Sequence, residues 1–184
     1  MRRRELIAAA AGLATLSGCL DDGMARGDGD GSGDADNSPP FEVRTVDAPG
    51  SEAGTVRVPR AGRVTLLNFA RTLCPTSEGF LSAVGAARGD LSSDDVDVIT
   101  VVDGSSGPQP SPAELADWWV EHDGNWPVAI DERGLVNDHY DISGFPVVIA
   151  VDGDGEVQWR NDGGTTARTI VQGVRTALEA QESA

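Results

Sequence analysis

The chain has 184 residues, 39% of them hydrophobic, and its 30 acidic residues against 14 basic ones give a formal net charge of −16. Every basic residue is an arginine, and none cluster beyond Arg2-Arg3-Arg4, so the electrostatic footprint of a nucleic-acid binder is absent. The roughly 145 residues from position 41 onward suit one domain with a full core.

Residues 1–19 read as an export signal. Arg2-Arg3-Arg4 form a basic start, and Leu6 to Leu16 form an apolar, alanine-rich stretch too short to span a bilayer. Leu16-Ser17-Gly18-Cys19 then matches the lipobox of bacterial and archaeal lipoproteins. Cys19 is therefore the expected lipidation site, and the outer face of the cytoplasmic membrane the expected location. Arg3-Arg4-Glu5-Leu6-Ile7 is similar to a twin-arginine signal, and both that route and the general secretory route stay open. Residues 20–40, rich in Asp and Gly, have almost no large apolar side chain and read as a flexible linker of roughly 25 Å mean reach. Its Asp28-Gly-Asp30-Gly-Ser32-Gly33 lacks the closing Glu of a calcium loop, since Pro39 holds that position.

The domain is expected over residues 41–184. Phe41 to Val46 and Thr55 to Val58 read as short strands around an Ala-Pro-Gly-Ser turn. Arg63 to Phe69 reads as a buried central strand, branched and apolar throughout. Thr76 to Arg88 follows as a helix with Phe80, Leu81 and Val84 on one face. Val96 to Val102 is the next strand and runs into the turn-rich Asp103 to Pro110. Ser111-Pro112-Ala-Glu114 carries the signature of a capped helix start, with Leu115, Trp118 and Trp119 on the helix face that packs inward. Trp126 to Ile130 reads as a strand, Leu135 to Tyr140 as a helical turn, Val147 to Val151 and Val157 to Arg160 as a hairpin, and Thr165 to Gln181 as a final helix. Alternating strands and helices closed by a hairpin and helix predict an α/β sandwich with a mixed sheet.

Cys74 is the thiol available for chemistry, because Cys19 is expected to carry lipid and no intrachain disulfide is then possible. It stands where the strand ending at Phe69 gives way to a helix. The unpaired N–H groups of that helix start favour thiolate over thiol, and Arg71 is expected to add to this. Asn68-Phe69-x-x-Thr72-x-Cys74-Pro75 resembles the active-site segment of thioredoxin-like proteins, specifically the TlpA and redoxin branch of membrane-tethered thiol–disulfide oxidoreductases. Tyr140 to Gly155, containing Gly144-Phe145-Pro146, is similar to that family's cis-proline segment and the hairpin after it. The resemblance covers roughly residues 41–180. It implies a thioredoxin-like α/β fold, with Cys74, Ser77, Pro146 and Arg71 in the catalytic positions. Phe145, Pro75 and Thr76 would then form the surface that meets a partner.

The departures from the family pattern are specific. Ser77 replaces the second cysteine of Cys-x-x-Cys, Leu73 replaces the usual aromatic residue, and Phe80 takes the place where an acidic residue often lies. Two functions follow from this. Cys74 acts alone in thiol–disulfide chemistry on protein thiols or disulfides at the cell surface, with an external reductant to release it; or the fold is a redox-inactive binding module for an extracytoplasmic partner. Cys74-Pro75-Thr76 is also similar to a peroxidatic motif, but Leu67 and Arg71 stand where its Pro and Thr belong, which makes peroxidase activity the weaker version. One cysteine with His122 or His139 makes a poor copper site, so the reading assigns no metal and no cofactor. Asp152 and Asp154 read as hairpin-turn residues. Without Arg2 to Glu5 the balance is 11 arginines against 29 acidic residues, or −18. Dispersed acidic charge without lysine is the surface habit of proteins in multimolar salt, where repulsion is screened within about 3 Å, and it predicts a halophilic source.

Overall fold

The structure, a computed structural model, describes residues 38–183; the expected signal, Cys19 and nearly all of the expected linker lie outside them. Among the described residues, seven strands and four helices follow one another. They are β1 (Phe41–Thr45), β2 (Gly54–Val58), β3 (Val64–Ala70), α1 (Pro75–Gly89), β4 (Val96–Asp103), α2 (Pro112–Glu121), β5 (Val128–Asp131), α3 (Leu135–His139), β6 (Val147–Val151), β7 (Val157–Asp162) and α4 (Ala167–Ser183). The expected elements are all present, with ends moved by at most two residues.

The strands form one mixed sheet in the order β2-β1-β5-β4-β3-β6-β7. β3, β4 and β5 are parallel, and the outer pairings are antiparallel. Every residue of β3 is buried, as a strand flanked by neighbours and covered on both faces requires. Side chains alternate between faces, so Val64, Leu66 and Ala70 join the core under α1, α2 and α4, while Leu67 and Phe69 join a second core under α3 and the β1–β2 hairpin.

Local chemistry sets the helices. Ser111 accepts a hydrogen bond from the Glu114 amide, and the Glu114 carboxylate accepts one from the Ser111 amide, so both orphan donors at the start of α2 are satisfied. That fixes the direction in which α2 delivers Trp118 and Trp119 to the core. Trp119 meets Trp126 edge-on, with centroids 4.8 Å apart, and Trp118 lies 6.0 Å from Trp119. Two of these indoles also bond: Trp119 Nε1 donates to Pro49 O at 3.1 Å and Trp126 Nε1 to Thr100 Oγ1 at 2.9 Å. In α4, Gly173 lies against the Trp159 ring; a Cβ there would stand 2.6 Å from Cε2 and nearer still to two other ring atoms. The helix keeps its glycine because β7's tryptophan occupies the space.

Candidate functional site

The site lies where β3 ends. Residues 71–74 form a turn in which the Cys74 amide donates to Arg71 O at 3.2 Å, and Cys74 is the N-cap of α1 with Pro75 as the first helical residue. Cys74 has extended backbone (φ −119°, ψ 105°) and makes no side-chain capping bond, which leaves its thiol beside first-turn amides that have no partner inside the helix. The thiol is partly exposed. Its pKa is lowered, first by the Ser77 hydroxyl and against the pull of burial, with further help from the Ser77 and Thr76 amides and the Thr76 hydroxyl. Ser77 itself is fully buried, and its Oγ accepts a hydrogen bond from the Arg71 amide at 3.4 Å.

The second half of the site comes from the α3–β6 connection. The Phe145–Pro146 peptide is cis, and the Cys74 thiol donates to Phe145 O at 3.8 Å. Ser77 and the Phe145 carbonyl, which leads into Pro146, thus lie beside the Cys74 thiol. Pro146 is buried, Phe145 is half-buried, and Pro75 and Thr76 are exposed on the outer side of the helix start. Leu73, beside the thiol, is 74% exposed, the most open large apolar side chain among the described residues.

Arg71 behaves differently from expectation. Its charge is not spent on the thiol: the guanidinium bonds Asp103 Oδ2 at 2.5 Å and the Ser106 hydroxyl, and it lies over the Phe145 ring with Cζ 4.9 Å from the centroid. The physical reason is the partner's burial, since a carboxylate 1% exposed at the end of β4 holds the nearest cation far more strongly than a partly solvated thiol can. Asp103 also accepts from the Ser105 amide and hydroxyl at 2.9 and 2.8 Å, from the Ser106 amide and hydroxyl at 3.3 and 2.5 Å, and from Asn137 Nδ2 at 3.3 Å. Burial alone would raise its pKa, but these donors, Arg71 first, bring it down to about 2. Its neighbour across the β4–β5 register, Asp131, is buried, and amides rather than a cation are what lower its pKa among the described residues. Burial raises the Asp131 pKa even though the Asn137, Val136, Leu135 and Gly134 amides act to lower it.

Asp103, Ser105, Ser106 and Asn137 were not anticipated as site residues. The available signal was Asp103 itself, a carboxylate ending an apolar strand at its C-terminal end, where α/β folds place their sites. Other expected positions lie elsewhere. His122 packs edge-on against Trp118, and His139 against Phe41 and Tyr140, so the two histidines belong to separate aromatic groups. Asp152 closes the β6–β7 hairpin by accepting from the Asp154 and Glu156 amides, both at 3.0 Å.

A family model described as Redoxin matches residues 34–178. The chain belongs to the redoxin family. No curated protein sequence matches this redoxin, but solved structures share its fold. StoA from Bacillus subtilis is 21% identical with a TM-score of 0.61, covering 72% of this chain and 93% of its own. The pneumococcal exposed lipoprotein thioredoxin from Streptococcus pneumoniae is 24% identical with a TM-score of 0.60, covering 73% and 97%. A secreted Mycobacterium tuberculosis disulfide oxidoreductase homologous to E. coli DsbE is 12% identical with a TM-score of 0.59, covering 74% and 95%. At these identities the likeness is one of fold: a thioredoxin-like mixed sheet with helices on both faces. No helix among the described residues of the redoxin is long and apolar enough to cross a membrane.

Proposed function

We propose that this redoxin is a lipid-anchored, extracytoplasmic thiol–disulfide protein that works through one cysteine. The observation that carries the reading is the setting of Cys74, a partly exposed N-cap thiol with a lowered pKa beside the Phe145–Pro146 edge. The Cys74 thiolate attacks one sulfur of a partner's disulfide. The partner's S–S bond breaks, a mixed disulfide forms on Cys74, and the departing sulfur leaves as a thiolate that takes a proton from water. Ser77 has no sulfur with which to break the mixed disulfide. An external thiol must therefore attack it, forming a new disulfide with the partner and returning Cys74 as thiolate. Anchoring through Cys19 is supported by Leu16-Ser-Gly-Cys19 and by the fold's occurrence in the pneumococcal exposed lipoprotein thioredoxin.

A second reading, a binding module with an idle Cys74, draws on Ser77: its side chain is buried and engaged, as a structural residue's would be. The two separate on one experiment. Incubated with an aromatic disulfide in multimolar salt, the protein should accumulate a stable Cys74 adduct by intact mass, and Ser77→Cys should turn that adduct over to an intramolecular disulfide. No adduct on Cys74, together with an inactive Ser77→Cys variant, would establish the binding module instead.

A further inference from the structure

Arg71 and Cys74 act on the same residue from two directions. The guanidinium covers the Phe145 ring, and the thiol meets the Phe145 carbonyl at 3.8 Å. On its far side the guanidinium is fixed by Asp103, whose two oxygens are also taken by Ser105, Ser106 and Asn137. Asn137 extends this grip. Its amide donates to Asp131 at 2.9 Å, and its carbonyl accepts from the Ile142 amide at 2.8 Å, at the start of the segment that leads to Phe145. Arg71 Nε, buried and without a hydrogen-bond partner, shows that the stack rather than a bond holds that edge of the guanidinium.

We propose that Asp103 is a positioning residue of the Cys74 site: it clamps Arg71 over the Phe145 ring and cancels its charge, fixing the edge beside the thiol. The inference rests on Cys74 being the reacting group. A free guanidinium three residues from the cysteine would pair with the thiolate. Pairing would populate the thiolate further but make it a weaker nucleophile, because nucleophilicity falls with thiol pKa. With the clamp in place, Ser77 and the helix amides set the thiol's charge. The other charged groups on the surrounding elements are Asp131 on β5, which shares Asn137 with Asp103, Glu78 in the first turn of α1, Asp141 before Phe145, and the Arg160–Asp162 pair on β7. None of them is substituted in the variants below.

The test is the pH dependence of Cys74 alkylation by iodoacetamide in the folded chain, for wild type, Asp103→Asn, Arg71→Met and the double variant. The neutral pair predicts opposite signs. Asp103→Asn leaves a bare cation and moves the thiolate midpoint down, Arg71→Met leaves a bare carboxylate and moves it up, and the double variant returns it to the wild-type position. Below the midpoint, each single variant should change the rate by about threefold or more, in opposite directions, at the lowest salt at which circular dichroism shows all four proteins folded. Amide exchange over residues 142–145 should quicken in all three. Two single variants that shift the midpoint in the same direction, or neither of which shifts it, would overturn the clamp. Should Asp103→Asn not fold, Arg71→Met carries the test alone, on a side chain that is 38% exposed, and a midpoint that fails to rise is the refuting result. These readouts do not depend on disulfide exchange, so loss of the redox reading and loss of the clamp give different patterns.

Discussion

Asp103 offers the sharpest test of how the site is held, because its ionisation is tied to folding. Its carboxyl drops from an ordinary 3.8 to about 2 in the folded protein, which at about 1.36 kcal/mol per pH unit corresponds to roughly 2.4 kcal/mol. Arg71 is partly solvated and its attraction is weakened by water and salt, so we expect about 1–2 kcal/mol to survive. A carboxyl with a depressed folded pKa contributes this stability above its unfolded pKa and loses it as pH falls toward the folded value, so the window runs from about pH 4 down to about pH 2. Asp131 works in the opposite sense: its raised pKa costs stability when ionised, and protonation on acidification relieves that cost. The pH profile of the wild type therefore mixes both. Urea unfolding of wild type and Asp103→Asn at pH 6 and at pH 2.5 removes most of the Asp131 contribution. About a third of the contribution remains at pH 2.5, so the stability gap between the two proteins should shrink by about 1 kcal/mol on going to the lower pH. A gap that stays constant would show that the ionised Asp103 carboxylate contributes nothing to folding, whatever its geometry.

Ser77→Ala should raise the Cys74 pKa and slow alkylation below neutral pH, because the Ser77 hydroxyl is the largest influence holding the thiol down; an unchanged alkylation profile would assign the thiolate to the backbone amides and the Thr76 hydroxyl. Gly173→Ala, which gains about 1 kcal/mol of helix propensity elsewhere, should here lower stability by about 1–3 kcal/mol through overpacking against Trp159, as read by thermal or urea unfolding. Cys19→Ser should move the protein from the membrane fraction to the medium or leave it unprocessed, and normal membrane retention of that variant would remove the lipid anchor from the proposal.

The fold was legible because its signals are local and repeated. The unbroken apolar run of β3, the Ser111–Glu114 capping box and the turn at Asp152-Gly-Asp-Gly each specify an element without reference to the rest of the chain. The Cys74 and Phe145–Pro146 pairing was legible only through likeness to a family, since 71 residues separate Cys74 from Phe145 and neither segment alone demands the other. The Arg71–Asp103 pairing escaped for a physical reason. Arg71 sits three residues from the thiol in sequence, and proximity along the chain suggested that its charge served the cysteine. Which anion captures it is decided by burial, a property of the β3–β4 register: Ala70 pairs with Val102, which sets Asp103 beside Arg71. Sequence periodicity reports that a strand exists but not the alignment of one strand against the next.

The packing of the tryptophans divides the molecule into two optical reporters. Trp118, Trp119 and Trp126 are close enough, at 6.0 and 4.8 Å between ring centres, for their electronic transitions to couple, whereas Trp159 lies apart on β7 against α4. Near-ultraviolet circular dichroism should therefore be dominated by the coupled trio and vanish when α2 leaves β5. A variant with Trp159 as its sole tryptophan would report by fluorescence on the α4–β7 contact alone. Loosening at one end of the sheet could then be followed separately from loosening at the other, without an added label and without touching Cys74.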